Sequence, residues 1–287
     1  MRSTTRNSSS KSDISWIVTN IGCAGLTGLI LTSFWDGFAN IDEALAFYGV
    51  YHRYGWNQLI HFVGVPGILW STLLVLVHIP ILPASSSFFF STESKTQQAT
   101  TAATGLNSIP SRLNYANFIS VAYVLFYLTM DPFGAILYSP VLYGMYSSAY
   151  HIVQSDQQKY YTNDAAAAAI RRHQTSKQEP TTTMSSSSSC CCWYGTGQPL
   201  RIAVVTQIVC WYVQIHWGHS IIEGAKPALL ESVGGAFSVG PLFAFYEGLW
   251  YLGIHTQLQH TTHVLIDHYT TELCAGDSAL LKACRTP

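Results

Sequence analysis

Long stretches without a charged side chain constrain this sequence more than any other feature. No Asp, Glu, Lys or Arg occurs in 14–35, 54–92, 113–130, 132–155, 202–222 or 248–266. A helix that crosses a membrane needs about 20 mostly apolar residues. A soluble helix ordinarily keeps a charged face. Charged residues make up 10% of the 287, where a soluble domain carries roughly 25%. The formal net charge is -1, which gives no basic footprint for nucleic acid. The expected fold is all-α: a polytopic membrane helical bundle in contact with membrane lipid.

Two low-complexity segments interrupt the bundle. Residues 83–111 are rich in Ser, Thr and Ala, and residues 156–192 are polar and repetitive. Neither carries enough apolar surface to offset the entropy of ordering, so both are expected as solvent loop inserts, with a short helix at the alanine run. Five Lys or Arg fall between Lys159 and Arg201, and the positive-inside rule leans this segment to the cytoplasm. Residues 1–40 are expected as a tail plus an extra retained hydrophobic helix, with Gly22, Gly25 and Gly28 on a close-packing face. Residues 41–255 form the membrane helical domain, and 256–287 a polar C-terminal tail. Cys190, Cys191 and Cys192 are adjacent, so they cannot pair comfortably with one another. No zinc-type CxxC spacing occurs.

Inside the domain, "NIDEALAFYGVYHRYG" is a short amphipathic helix with Asn40 or Asp42 as its N-cap. The spans are "NQLIHFVGVPGILWSTLLVLVHIPIL", a hairpin of "YANFISVAYVLFYLTM" and "PFGAILYSPVLYGMYSSAYHI" turned at Asp131-Pro132, "RIAVVTQIVCWYVQIHWGHSII" and "SVGGAFSVGPLFAFYEGLWYLGI".

Ionisable groups within such spans are costly and mostly functional. Six stand out: His52, His61, His216, His219, Glu223 and Glu247. At 3.6 residues per turn, His216, His219 and Glu223 share one helical face. His219 and Glu223, one turn apart, suit a metal, and Gly218 permits a close approach. A lone histidine in such a helix is ordinarily a core residue bonded to a carbonyl; the clustering argues otherwise. Asn57, four residues before His61, is placed to orient its ring or to cap the helix. His78, His151, His255, His260, His263 and His268 are expected at the surface or at the membrane interface, although His263 and Asp267 make a rival pair on one face.

The set Tyr51-His52, Asn57, His61, Pro66 resembles the signature of the Mpo1-like family, 2-hydroxy fatty acid dioxygenases of the endoplasmic reticulum. So does Gly218-His219, Glu223, Pro227-Ala228-Leu229, and more weakly Pro241 with Glu247. The resemblance spans roughly 44–253, broken by the two inserts. It implies a multi-pass protein of the endoplasmic reticulum membrane. It also implies an Fe(2+)-dependent enzyme that uses O2 to shorten long-chain 2-hydroxy fatty acids by one carbon, as in α-oxidation during phytosphingosine breakdown.

Imidazole and carboxylate ligands with open positions suit non-haem iron, which agrees with that implication. The expected ligands are His52, His61 and His219, with His216 in reserve and Glu223 as a ligand or a supporting group. Tyr51, Asn57 and Glu247 are expected to support them. The alternatives are a zinc- or diiron-dependent membrane lipid enzyme and a non-enzymatic lipid-binding membrane protein. Nothing in the sequence gives the oligomeric state.

Overall fold

The computed structural model describes residues 40–81, 113–175, 195–224, 227 and 233–276. The helix expected at the N-terminus with Gly22, Gly25 and Gly28, the whole of the first insert and the cysteine triplet lie outside the described residues. The described residues form eight α-helices, one π-helical segment and no strand, so the all-α expectation holds.

Helix α1 (Ile41–Val50) starts from Asn40 in an extended conformation and carries Asp42 and Glu43 in its first turn, where acids complement the helix dipole. Helix α2 (Gly55–Leu76) runs through Pro66. Helix α3 (Tyr115–Met130) is capped by the Asn114 side chain, which accepts from the Asn117 amide at 3.0 Å. Asp131 then breaks to an extended conformation. Its carboxylate caps α4 (Pro132–Thr175) by accepting from the Phe133 and Gly134 amides. With proline at the first helical position, this is the expected hairpin turn.

Helix α5 (Gln198–Tyr212) passes directly into the π-helical segment Val213–Glu223. Helices α6 (Val233–Ser238) and α7 (Gly240–Tyr251) come next, and α8 (Thr256–Gly276) ends the described chain.

Helix α2 is the centre, with α3, α4, α5, α7 and the π-helical segment all packed on it. Glycines on α2 let the α5 rod approach: a Cβ on Gly64 would lie 2.7 Å from Gln214 Nε2, and one on Gly67 2.7 Å from Cys210 Sγ. Gln207 fastens the same contact by donating to the Ile68 carbonyl and to Thr72 Oγ1. Small residues at such a crossing are what membrane helix packing favours.

Three expectations change. First, residues from Asp156 are not a loop: α4 continues to Thr175. No Gly or Pro occurs between Gly144 and Pro180, and the alanine run has the highest helix propensity. Second, the polar tail is mostly a helix. Leu258 and Thr262 on α8 are buried, and Ile266 packs against the core, a stripe at helical spacing that seats α8 on α1. Third, the last span is broken at Val239 into helices of 6 and 12 residues, and most of α7 is buried. Twelve residues reach only about 18 Å, short of a hydrocarbon core of about 30 Å.

Among the described residues, one helix is long and apolar enough to cross a membrane, the 22-residue α2. Helix α3 is apolar and shorter.

Candidate metal centre

Three histidines from distant parts of the chain meet in the interior. His52 follows α1, His61 lies on α2 and His219 on the π-helical segment, and all three are buried. Their ligand nitrogens lie within 4.8 Å of one another. Ring centroids are 4.3 Å apart for His52–His61, 5.0 Å for His52–His219 and 4.9 Å for His61–His219.

Each ring is set by its own helix. His52 Nδ1 lies 2.7 Å from the Tyr48 carbonyl oxygen, and His61 Nδ1 lies 2.9 Å from that of Asn57. A carbonyl only accepts, so each Nδ1 carries the proton and each Nε2 keeps its lone pair. A metal-binding histidine holds its second nitrogen in this way. His52 Nε2 and His219 Nδ1 are buried with no hydrogen-bond partner. Burial first, and then His61 and His219, hold the His52 pKa well below the usual imidazole value, so that ring is neutral at pH 7. Phe243 closes the apolar side with its ring 5.3 Å from His52. Neutral imidazoles with unused lone pairs, turned towards one another in a buried space, fit a divalent transition metal.

The π winding decides which residues join. Its i→i+5 hydrogen bonds widen the turn, so residues four and five apart share a face. Gln214, Gly218, His219 and Glu223 are buried, while His216 is exposed and stacks on Tyr212 at 5.1 Å. His216 was expected on the face of His219 from a 3.6-residue turn; the wider turn rotates it away from the cluster. The segment ends at Gly224, in the left-handed conformation with φ +62°, whose amide donates to the His219 carbonyl. The helix thus stops ahead of Pro227.

Glu223 holds the scaffold together. One of its oxygens accepts from the Tyr54 amide at 2.9 Å and from Asn57 Nδ2 at 3.1 Å. It thereby ties the π-helical segment to the start of α2, a turn before His61. Gly218 answers to the same junction: a Cβ there would lie 2.3 Å from Asn57 Oδ1 and 3.4 Å from His61 Cε1. Tyr51 is buried in the core with its ring 5.5 Å from Phe47.

A cavity of about 330 Å³ adjoins His52. Its walls include Arg53, Phe243, Glu247 and, from α8, His263 and Asp267. Glu247 is buried, and neither carboxyl oxygen has a hydrogen-bond partner. The rival pair His263 and Asp267 lines this cavity and is not part of the trio.

The Tyr48 carbonyl, Phe243 and Arg53 were not anticipated as parts of this site. The first had a local signal, because a residue four before a histidine on a helix offers it a carbonyl. Arg53 was visible as the neighbour of His52. Phe243 had none, since its contact is made only by tertiary packing.

No curated protein and no solved structure matches the chain. A family model described as 2-hydroxy-palmitic acid dioxygenase Mpo1-like matches residues 38–249. That match contains all three clustered histidines, Glu223 and Glu247, and stops before α8. Since it covers well over half of the 287 residues, the chain belongs to the Mpo1-like family.

Proposed function

We propose that this protein is an iron(II)-dependent dioxygenase that shortens long-chain 2-hydroxy fatty acids by one carbon. The observation that carries the reading is the buried trio His52, His61 and His219, with ligand nitrogens within 4.8 Å of one another, in a chain whose family is described as a 2-hydroxy-palmitic acid dioxygenase. For 2-hydroxypalmitate the balanced reaction consumes one O2 and gives pentadecanoate, CO2 and water. The C1–C2 bond breaks, C2 is oxidised to the new carboxylate, and O2 takes up the electrons. Iron(II) supplies the one-electron chemistry that lets O2 react with a closed-shell acid. The protein's part is to hold three neutral imidazoles in one orientation and to leave the remaining positions open. Phe243 and the surrounding helices keep bulk water away from them.

We assign the protein to the endoplasmic reticulum membrane as a multi-pass chain. Helix α2 supports a membrane setting by length and composition. Apolar side chains at the surface support it too: Val121 and Leu125 on α3, Ile136 on α4, and Val205, Ile208 and Val209 on α5 are all exposed. Soluble monomers rarely expose apolar patches on this scale. The organelle rests on the family resemblance alone.

Three histidines are also a ligand set of catalytic zinc, which favours a zinc-dependent lipid enzyme as the second reading. One experiment separates the two. Protein purified in detergent is analysed for metal and assayed for O2 uptake and pentadecanoate release from 2-hydroxypalmitate. Iron with stoichiometric O2 uptake is the expected result. Zinc at full occupancy, with no O2 consumed after reconstitution with iron(II), overturns the dioxygenase.

A further inference from the structure

We infer that the cavity beside His52 receives the acid end of the substrate, with Arg53 binding the carboxylate and Glu247 binding the 2-hydroxyl group. The inference rests on the proposed function and goes beyond it by naming the groups that select a 2-hydroxy acid.

Three observations carry it. The cavity and the histidine trio share His52, so a ligand seated in the cavity lies beside the trio. Arg53 is the one Lys or Arg among the described residues that line the cavity, and a guanidinium presents a fork that matches a carboxylate. Glu247 is 3% exposed, and both of its carboxyl oxygens lie in the interior without a partner. Buried polar groups are almost always hydrogen-bonded, and Glu247 is among the residues that line the cavity. A hydroxyl on the carbon next to a carboxylate supplies the missing partner. At about 330 Å³ the cavity sits at the low end of the usual range for small-molecule sites, which suits the polar end and the first part of an alkyl chain. Phe243, Trp250 and Ile266 give that first part apolar walls.

The test measures binding to the full chain in detergent micelles, freed of metal with a chelator. Three radiolabelled probes are used: 2-hydroxypalmitate, palmitate and hexadecane-1,2-diol. Arg53→Gln should weaken both acids by about tenfold or more, the usual worth of a charge-assisted pair, and leave the diol unchanged. Arg53→Lys should recover part of the loss. Glu247→Gln should reduce the preference for 2-hydroxypalmitate over palmitate without altering palmitate itself. Arg53 is exposed, so its variants should fold. Unchanged acid binding in Arg53→Gln, or equal loss of all three probes, overturns the assignment. Turnover by the wild-type protein reports separately on the function. Wild type that turns over 2-hydroxypalmitate while Arg53→Gln binds it normally removes this assignment alone. Wild type that binds both acids through Arg53 but never releases pentadecanoate removes the dioxygenase and leaves an acid-binding cavity.

Discussion

Tyr48 aims His52: its carbonyl oxygen lies 2.7 Å from the ring Nδ1, one helical turn back. Asn57 does the same for His61 at 2.9 Å. The two rings are thus oriented by backbone, which a side-chain substitution at Tyr48 or Asn57 does not delete. His219 is placed differently, by a π-helical turn that Glu223 anchors to the start of α2. The site joins residues about 160 positions apart in sequence, at the junction of α2 with the α5 rod.

Metal retention should follow membership of the trio. His52→Ala and His61→Ala should each lose bound metal and oxygenase activity together, by more than the roughly 10–100-fold that loss of a supporting partner produces. His216→Ala and His151→Ala, both exposed, should keep wild-type metal content. Metal analysis of the four purified variants decides. Equal occupancy in His52→Ala and His216→Ala would remove the trio as the site.

Glu223 should behave as a positioning residue. Glu223→Gln keeps an acceptor for the Tyr54 amide but presents Asn57 Nδ2 with a weaker one. Activity should fall about 10- to 100-fold, with metal still measurable at saturating iron. Complete loss of metal under those conditions would make Glu223 a ligand.

The sequence made the ingredients of the site legible and left its winding hidden. Histidines in charge-free runs stand out because such groups are expensive in an apolar setting. Gly218 stood out as a place of close approach, and its neighbours are Asn57 and His61. The exclusion of His216 could not be seen, because a single sequence carries no local signal that separates a π turn from an α turn. Helix α8 was hidden for another reason. Its apolar stripe is diluted by histidines and threonines, and its partner is α1, more than 200 residues earlier. Gly49 is what admits it, since a Cβ there would lie 2.2 Å from Ile266 Cδ1.

The inserts should be dispensable. The first leaves and re-enters the bundle at neighbouring points: the Ile81 amide donates to the Leu113 carbonyl, and the Tyr115 amide to that of Ile79. After the second, Thr196 returns to the Asp156 carboxylate. Replacing 93–104 or 181–192 with a short Gly/Ser linker should leave activity within about twofold, because loop length changes closure entropy only slowly. Activity lost while protein still accumulates would make that insert part of the site.

Membrane attachment should survive an alkaline carbonate wash. Helix α2 is long and apolar enough to cross a membrane, and among the described residues apolar side chains of α3, α4 and α5 are exposed. Recovery of the full-length chain in the supernatant would overturn the spanning arrangement.

Gly218 and Gly144 should respond in opposite ways to the same substitution. Both lie within helical segments, where alanine in place of glycine ordinarily contributes about 0.5–1 kcal/mol to stability. Gly144 has nothing within 4 Å of a Cβ, so Gly144→Ala should raise the thermal midpoint or leave it unchanged. At Gly218 the new methyl would lie 2.3 Å from Asn57 Oδ1. Asn57 is fully buried and held to Glu223 at 3.1 Å, so it has little room to retreat. The π-helical segment must then move off α2, carrying His219 away from His61. Gly218→Ala should therefore cost about 1–3 kcal/mol, as overpacking of a tight core does, and should lower metal occupancy along with it. Thermal unfolding in detergent, with and without iron(II), reads both effects. A Gly218→Ala protein with unchanged midpoint and full metal content would show that the close junction between Asn57 and the π-helical segment does not hold the site together.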